Sequence, residues 1–110
     1  MGLRYNTYLS ANRVFGCKKC KTHLADYDDI ISRSFRGQHG KAYLFNSVVN
    51  ISESDAVERH MTTGRHLVRD IHCCQCQTTV GWKYEKAYEP NEKYKEGKFI
   101  LEEEIICVVA

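Results

Sequence analysis

Cys17-Lys-Lys-Cys20 and Cys73-Cys-Gln-Cys76 are the segments of this chain with the clearest chemistry. Two cysteines three positions apart in a tight turn can bring both sulfurs to one ion. A second pair completes the tetrahedral sulfur set that Zn2+ accepts without redox chemistry. Roughly half of the 110-residue chain lies between the pairs, too much for one small finger. The expected arrangement is a domain folded between two half-sites and clipped by one structural zinc on Cys17, Cys20, Cys73 and Cys76. Disulfides are a competing reading, but they need an oxidising compartment. The first residues lack the apolar core of a secretory leader, and no stretch approaches 18 apolar residues. The chain therefore reads as intracellular, in nucleus and/or cytoplasm, with no membrane span. A thioredoxin-like pair would open a helix after a strand, which neither segment resembles.

The other sulfur and imidazole groups have weaker claims. Cys74 reads as a bystander inside the second pair, and Cys107, after Ile105-Ile106, as a small core residue. His23 and His72 stand close enough in sequence to approach the sulfurs. His39, His60 and His66 read as loop or strand-surface residues.

Composition narrows the choice of partner. A chain of this length fits one domain and buries roughly 60–70% of its unfolded surface, a thin core that a metal clip would reinforce. The formal charge is +2, and four zinc-bound thiolates with their ion would bring it to about zero. Nucleic-acid-binding modules more often carry a strong basic excess. Arg33, Arg36, Lys41, Arg65 and Arg69 could still form a basic stripe if their strands were adjacent.

The elements that must position these groups read as mainly antiparallel β. Residues 1–13 form an expected N-terminal arm, and the domain runs from 14 to 110. Runs at 29–35 and 41–51 flank a turn at 36–40. Runs at 57–62 and 65–71 flank a hairpin tip at Thr63-Gly64, and further strands are expected at 80–87 and 98–109. Asn91–Glu96, after the only proline, Pro90, reads as a short helical turn.

The knuckles and the phrases around them resemble the Yippee family. The matching phrases are Gly40-Lys-Ala-Tyr-Leu-Phe-Asn-Ser-Val-Val-Asn50, Thr63-Gly-Arg-His-Leu-Val-Arg-Asp-Ile71, Val80-Gly-Trp-Lys-Tyr84 and Tyr94-Lys-Glu-Gly-Lys-Phe-Ile-Leu-Glu102. The resemblance spans about residues 14–106. It implies two antiparallel sheets pinned at one end by zinc, the β-tent also seen in cereblon's thalidomide-binding domain, with the same four cysteines as ligands. Cys74 departs from the family's usual residue at its position.

The resemblance also bears on function. The tent is related to methionine-R-sulfoxide reductases, but Thr79 and Trp82 stand where those enzymes carry two histidines, and Cys107 lacks their catalytic context. The expectation is therefore no enzyme. Trp82 and Tyr84, two apart on a strand, share one sheet face and form either core or an aromatic floor near the zinc-tied end. The Gly-Trp-Lys-aromatic phrase resembles the wall of cereblon's imide pocket, with Phe45 or Tyr43 as further candidate walls. Some Yippee relatives associate with the CTLH/GID-type ubiquitin ligase. The resemblance thus implies a zinc-stabilised adaptor that binds protein partners, including ligase subunits, with links to cell division or growth control. A nucleic-acid or chromatin-binding module is the alternative.

Overall fold

The computed structural model describes residues 13–109. In chain order its ten strands are β1 (Val14–Cys17), β2 (His23–Asp26), β3 (Ile30–Gly37), β4 (Gly40–Phe45), β5 (Ile51–Glu53), β6 (Val57–Met61), β7 (Gly64–Cys73), β8 (Thr79–Ala87), β9 (Phe99–Glu102) and β10 (Ile106–Val108). They form two antiparallel sheets. The small one has the order β10-β1-β2. The large one runs β3-β4-β9-β8-β7-β5, with β6 also paired to β7. The expected N-terminal arm lies outside the described residues up to its last position, Arg13. The Arg13 guanidinium sits 4.5 Å over the Tyr27 ring.

Two cores cover the two faces of the large sheet. Phe15, Leu24, Ala25 and Ile106 of the small sheet and its connections meet Phe45, Ile71, Val80 and Leu101 of the large one, with Cys17 and Cys73 in the same cluster. On the other face Ala42, Leu44, Val68, Trp82, Tyr84 and Ile100 pack together. β7 serves both cores by simple alternation, Val68 on one face and Ile71 on the other, whereas β8 places Val80 and Trp82 in different cores because its pairing with β7 skips Val80 and Glu85. A bulge of this kind bends a strand and re-aims its side chains.

Two runs expected as single strands are divided. The run at 98–109 is not one strand: Glu103–Ile105 form a 3₁₀ turn that carries the chain from β9 in the large sheet to β10 in the small one. The run at 41–51 breaks after Phe45, where the Asn46 amide donates to the Asp29 carbonyl and Asn50 adopts φ 59°. The four-residue strands β1 and β2, too short to show periodicity, build the whole small sheet with β10. The expected helical turn is present as a 3₁₀ turn over Pro90–Lys95, with proline at its start. The β6–β7 hairpin turns at Thr62-Thr63, one position earlier than expected, with Gly64 (φ 121°) opening β7.

Gly81, between the second knuckle and Trp82, is required by close backbone approach. A Cβ there would lie 1.8 Å from the Ile100 carbonyl oxygen, and backbone cannot yield as a flexible side chain can. Gly81→Ala is expected to separate β8 from β9 and lower stability by about 3 kcal/mol or more. Thermal unfolding measures this, and a melting temperature within a few degrees of wild type would disprove the contact.

Candidate metal centre and aromatic pocket

Cys17 and Cys73 end β1 and β7, strands of different sheets. The Sγ atoms of Cys17, Cys20, Cys73 and Cys76 all lie within 4.8 Å of one another. The Cys17–Cys76 and Cys20–Cys73 sulfurs are 3.5 and 3.4 Å apart. A tetrahedral site with Zn–S bonds of about 2.3 Å has edges of about 3.8 Å. The four thiols therefore fit one zinc with little adjustment.

The two knuckles are built alike. The Lys21 amide donates to the Cys17 carbonyl at 2.7 Å, and the Gln77 amide to the Cys73 carbonyl at 2.8 Å. Both turns close through a left-handed residue, Lys21 (φ 67°) and Gln77 (φ 65°). Amides of Lys19 and Cys20 point to the Cys17 sulfur, and those of Gln75 and Cys76 to the Cys73 sulfur. Thr22 Oγ1 lies 3.0 Å from Cys20 Sγ, and Thr78 Oγ1 lies 3.1 Å from Cys76 Sγ. These hydroxyls orient and stabilise the outer sulfurs. Their signal was available in sequence as a Cys-x-x-Cys-x-Thr pattern repeated at both ends of the domain.

Without a cation the sulfurs cannot all ionise. Burial pushes the Cys17 thiol up to about 12 and also raises Cys73. Burial opposes ionisation of Cys76 too, but the Thr78 hydroxyl and amide, with the Cys17 and Cys20 thiols, outweigh it and draw Cys76 down to about 6. One thiolate held among protonated neighbours is poised to take a divalent ion, which then drives off the remaining protons.

The cluster contains neither histidine nor the extra cysteines. His72 hydrogen-bonds Ser54 Oγ at 2.7 Å and Thr79 Oγ1 at 2.9 Å rather than a sulfur. Cys107 lies in β10, half-buried, with the Lys21 ammonium 3.5 Å from its sulfur. His66 is not at the surface: it is fully buried, 5.1 Å from the Tyr84 ring, with Nδ1 on the Gly64 carbonyl. Desolvation lowers its pKa.

Trp82 and Tyr84 share a face as expected, and they are both core and floor. They are only 7% and 2% exposed, yet both line a cavity of about 580 Å3, within the range of small-ligand sites. Their rings meet edge to face at 6.2 Å. Walls come from β3 on one side, Arg59 and Met61 of β6 on the other, and Glu92, Tyr94 and Lys95 of the 3₁₀ turn. Lys95, 2% exposed, holds its ammonium 5.1 Å from the Phe35 ring and 5.3 Å from Tyr84. It pairs with Glu92 at 2.5 Å and donates to Thr63 Oγ1 at 3.1 Å.

Tyr43 and Phe45 are not walls of this cavity. Register sets Leu44 beside Ile100 and Trp82, whereas Tyr43 and Phe45 align with Leu101 and Phe99. With side chains alternating across the sheet, both fall on the opposite face, Phe45 inside the inter-sheet core and Tyr43 packed against it. The cavity also reaches the Thr62-Thr63 tip, at the end of β7 away from Cys73. It is not at the zinc-tied end.

Residues 13–110 match the family model described as Yippee zinc-binding/DNA-binding/Mis18, centromere assembly. The chain belongs to the Yippee family. Protein yippee-like 3 of Homo sapiens is 54% identical over 99 residues, covering 89% of this chain and 83% of that protein. The Danio rerio protein of the same name is 56% identical over the same span. The crystal structure of the Mis18 "Yippee-like" domain superposes with a TM-score of 0.70 at 14% identity, covering 89% of this chain and 95% of that one. At that identity the likeness concerns the fold. The four clustered cysteines are the zinc site of this Yippee domain.

Proposed function

We propose that this Yippee protein is a zinc-stabilised protein-interaction module without chemistry of its own. In this reading it acts in the nucleus and/or cytoplasm as a regulatory or substrate-recruiting component of a CTLH/GID-type ubiquitin ligase. The observation that carries the interaction reading is the aromatic-floored cavity, set on a scaffold whose metal has four cysteine ligands. A closed tetrathiolate site has no open position for water or substrate. The cavity's carboxylate and two of its cations are engaged structurally, Glu92 with Lys95 and Arg59 with Asp70 at 3.4 Å. A reductase would need its nucleophilic sulfur at the cavity, but Cys107 sits in the small sheet opposite Gly16.

The family description also mentions DNA binding, and the expected basic stripe bears on that reading. In the large sheet β3 and β4 are separated from β7 by β9 and β8. Arg69 is held by Glu85 at 3.3 Å, Arg65 lies over the Tyr88 ring, and Arg33 lies over Tyr27. These contacts disperse the positive charge, which favours a protein partner over nucleic acid.

The test is affinity purification of the tagged, zinc-loaded protein from its native cell, with mass spectrometry of the co-purified proteins. Ligase subunits are expected with wild type and are expected to diminish with Tyr94→Ala, since Tyr94 is 56% exposed at the cavity wall. Turnover of methionine sulfoxide with dithiothreitol, or retention on heparin that falls steeply with salt, would overturn the proposal.

A further inference from the structure

The cavity lies between two strand edges. Among the described residues β3 ends one side of the large sheet, and β6 pairs only with β7. The lining residues differ in kind between strands. β6 contributes Arg59 and Met61, and β8 contributes Trp82 and Tyr84, alternate residues that share one face. β3 instead contributes Ser34, Phe35, Arg36 and Gly37 in succession, with Gln38 next. Successive side chains of a regular strand point to opposite faces; four in a row border the cavity here because β3 is bulged between Ser32 and Phe35 and is the end strand of the sheet among the described residues. An edge carries unpaired main-chain groups that can template another strand.

The carboxylates near this edge are engaged: Glu102, packed against Gly37, accepts from the His39 amide. Glu92, the cavity's carboxylate, is taken by Lys95, and Arg59 is paired with Asp70. Among the described residues Arg36 is exposed at the cavity and has no ion-pair partner, and its cross-strand neighbour is Lys41. The Lys95 ammonium has three donors; Thr63 Oγ1 accepts one, and the Glu92 carboxylate forms an ion pair beside it. The space over Phe35 and Tyr84 that would attract a ligand cation is already filled by that ammonium. The ligand charge that fits here is negative.

We infer that the cavity receives an extended segment of a partner protein, paired along the β3 edge, with an aromatic side chain on the Trp82–Tyr84 floor and an adjacent carboxylate on Arg36 and Lys95. Strand addition gives main-chain affinity and leaves specificity to the pockets beside it. This rests on the reading of the cavity as a partner site and adds the chemistry of what it recognises.

The experiment uses the zinc-loaded full chain and NMR titration with acetylated, amidated octapeptides bearing a central Phe-Asp pair. Controls replace the pair by Phe-Asn or Phe-Lys, and 3-phenylpropionate supplies ring and carboxylate without a peptide main chain. Expected are shifts of the amides at 32–38 and of the Trp82 indole, with the Asp peptide binding about tenfold tighter than the Asn peptide, the factor associated with one charge-assisted hydrogen bond. Arg36→Ala should shrink that difference, leaving the part that Lys95 supplies, and an undiminished difference overturns the Arg36 contact. Equal binding of the Asp and Asn peptides, or tighter binding of the Lys peptide, overturns the carboxylate assignment while the cavity stands as a partner site. Phenylpropionate binding as well as the peptide overturns strand addition. Absence of shifts with every probe overturns the whole inference, and the co-purification result then judges the adaptor reading separately.

Discussion

Cys76→Ser is expected to leave the domain unfolded. The zinc joins the end of β1 in the small sheet to the end of β7 in the large one, and Cys17 and Cys73 are themselves buried in the core between the sheets. Structural zinc binding is worth roughly 10–16 kcal/mol in apparent terms, as much as the roughly 5–15 kcal/mol net stability of an ordinary domain. Loss of one ligand leaves the two buried sulfurs of Cys17 and Cys73 with the outer sulfur of Cys20; they repel as thiolates or resist ionisation as thiols, so the remaining site cannot hold the sheets together. Cys17→Ser and chelation of the metal should act in the same way. Elemental analysis should give about one zinc per chain in wild type, and far-ultraviolet circular dichroism should show loss of β signal in the variants. Cys74→Ser and Cys107→Ser lie outside the cluster and should keep both zinc and fold. A soluble, folded Cys76→Ser protein without zinc would show that the clip is dispensable.

The second large effect belongs to the cavity floor. Trp82→Ala and Tyr84→Ala should each cost about 3–5 kcal/mol, because each removes a ring from a packed cluster that cannot fully collapse. For a domain of this size that lowers the melting temperature on the order of 20 °C. Tyr84→Phe separates ring from hydroxyl. The hydroxyl donates weakly to Met61 Sδ at 4.0 Å, so its loss should cost no more than about 1 kcal/mol. Thermal denaturation of the three variants checks the order, and a Trp82→Ala protein as stable as wild type would place the ring outside the core. Lost partners in the alanine variants would therefore report unfolding. Recognition is tested instead at Tyr94 and Arg36, which line the cavity from exposed positions.

The metal site was legible in the chain because its geometry is local. Each Cys-x-x-Cys turn sets its own sulfur pair, and a tetrahedral ion needs two such pairs. The 3₁₀ turn after Pro90 and the shared face of Trp82 and Tyr84 were legible for the same reason, since ring constraint and strand alternation act within a few residues. The recurring threonine two positions beyond each knuckle was equally local, in Thr22 and Thr78. Tertiary structure alone decided the rest. That Glu103–Ile105 divides one apolar run between two sheets depends on where β1 and β4 lie. That Tyr43 and Phe45 face away from Trp82 depends on the β4–β9–β8 register, which no single strand encodes. Lys95, in a polar segment, is buried because Phe35 of β3 and Tyr84 of β8 close over its ammonium. Hydrophobic pattern specifies which residues leave water, but the pairing of remote strands decides which neighbours they meet there.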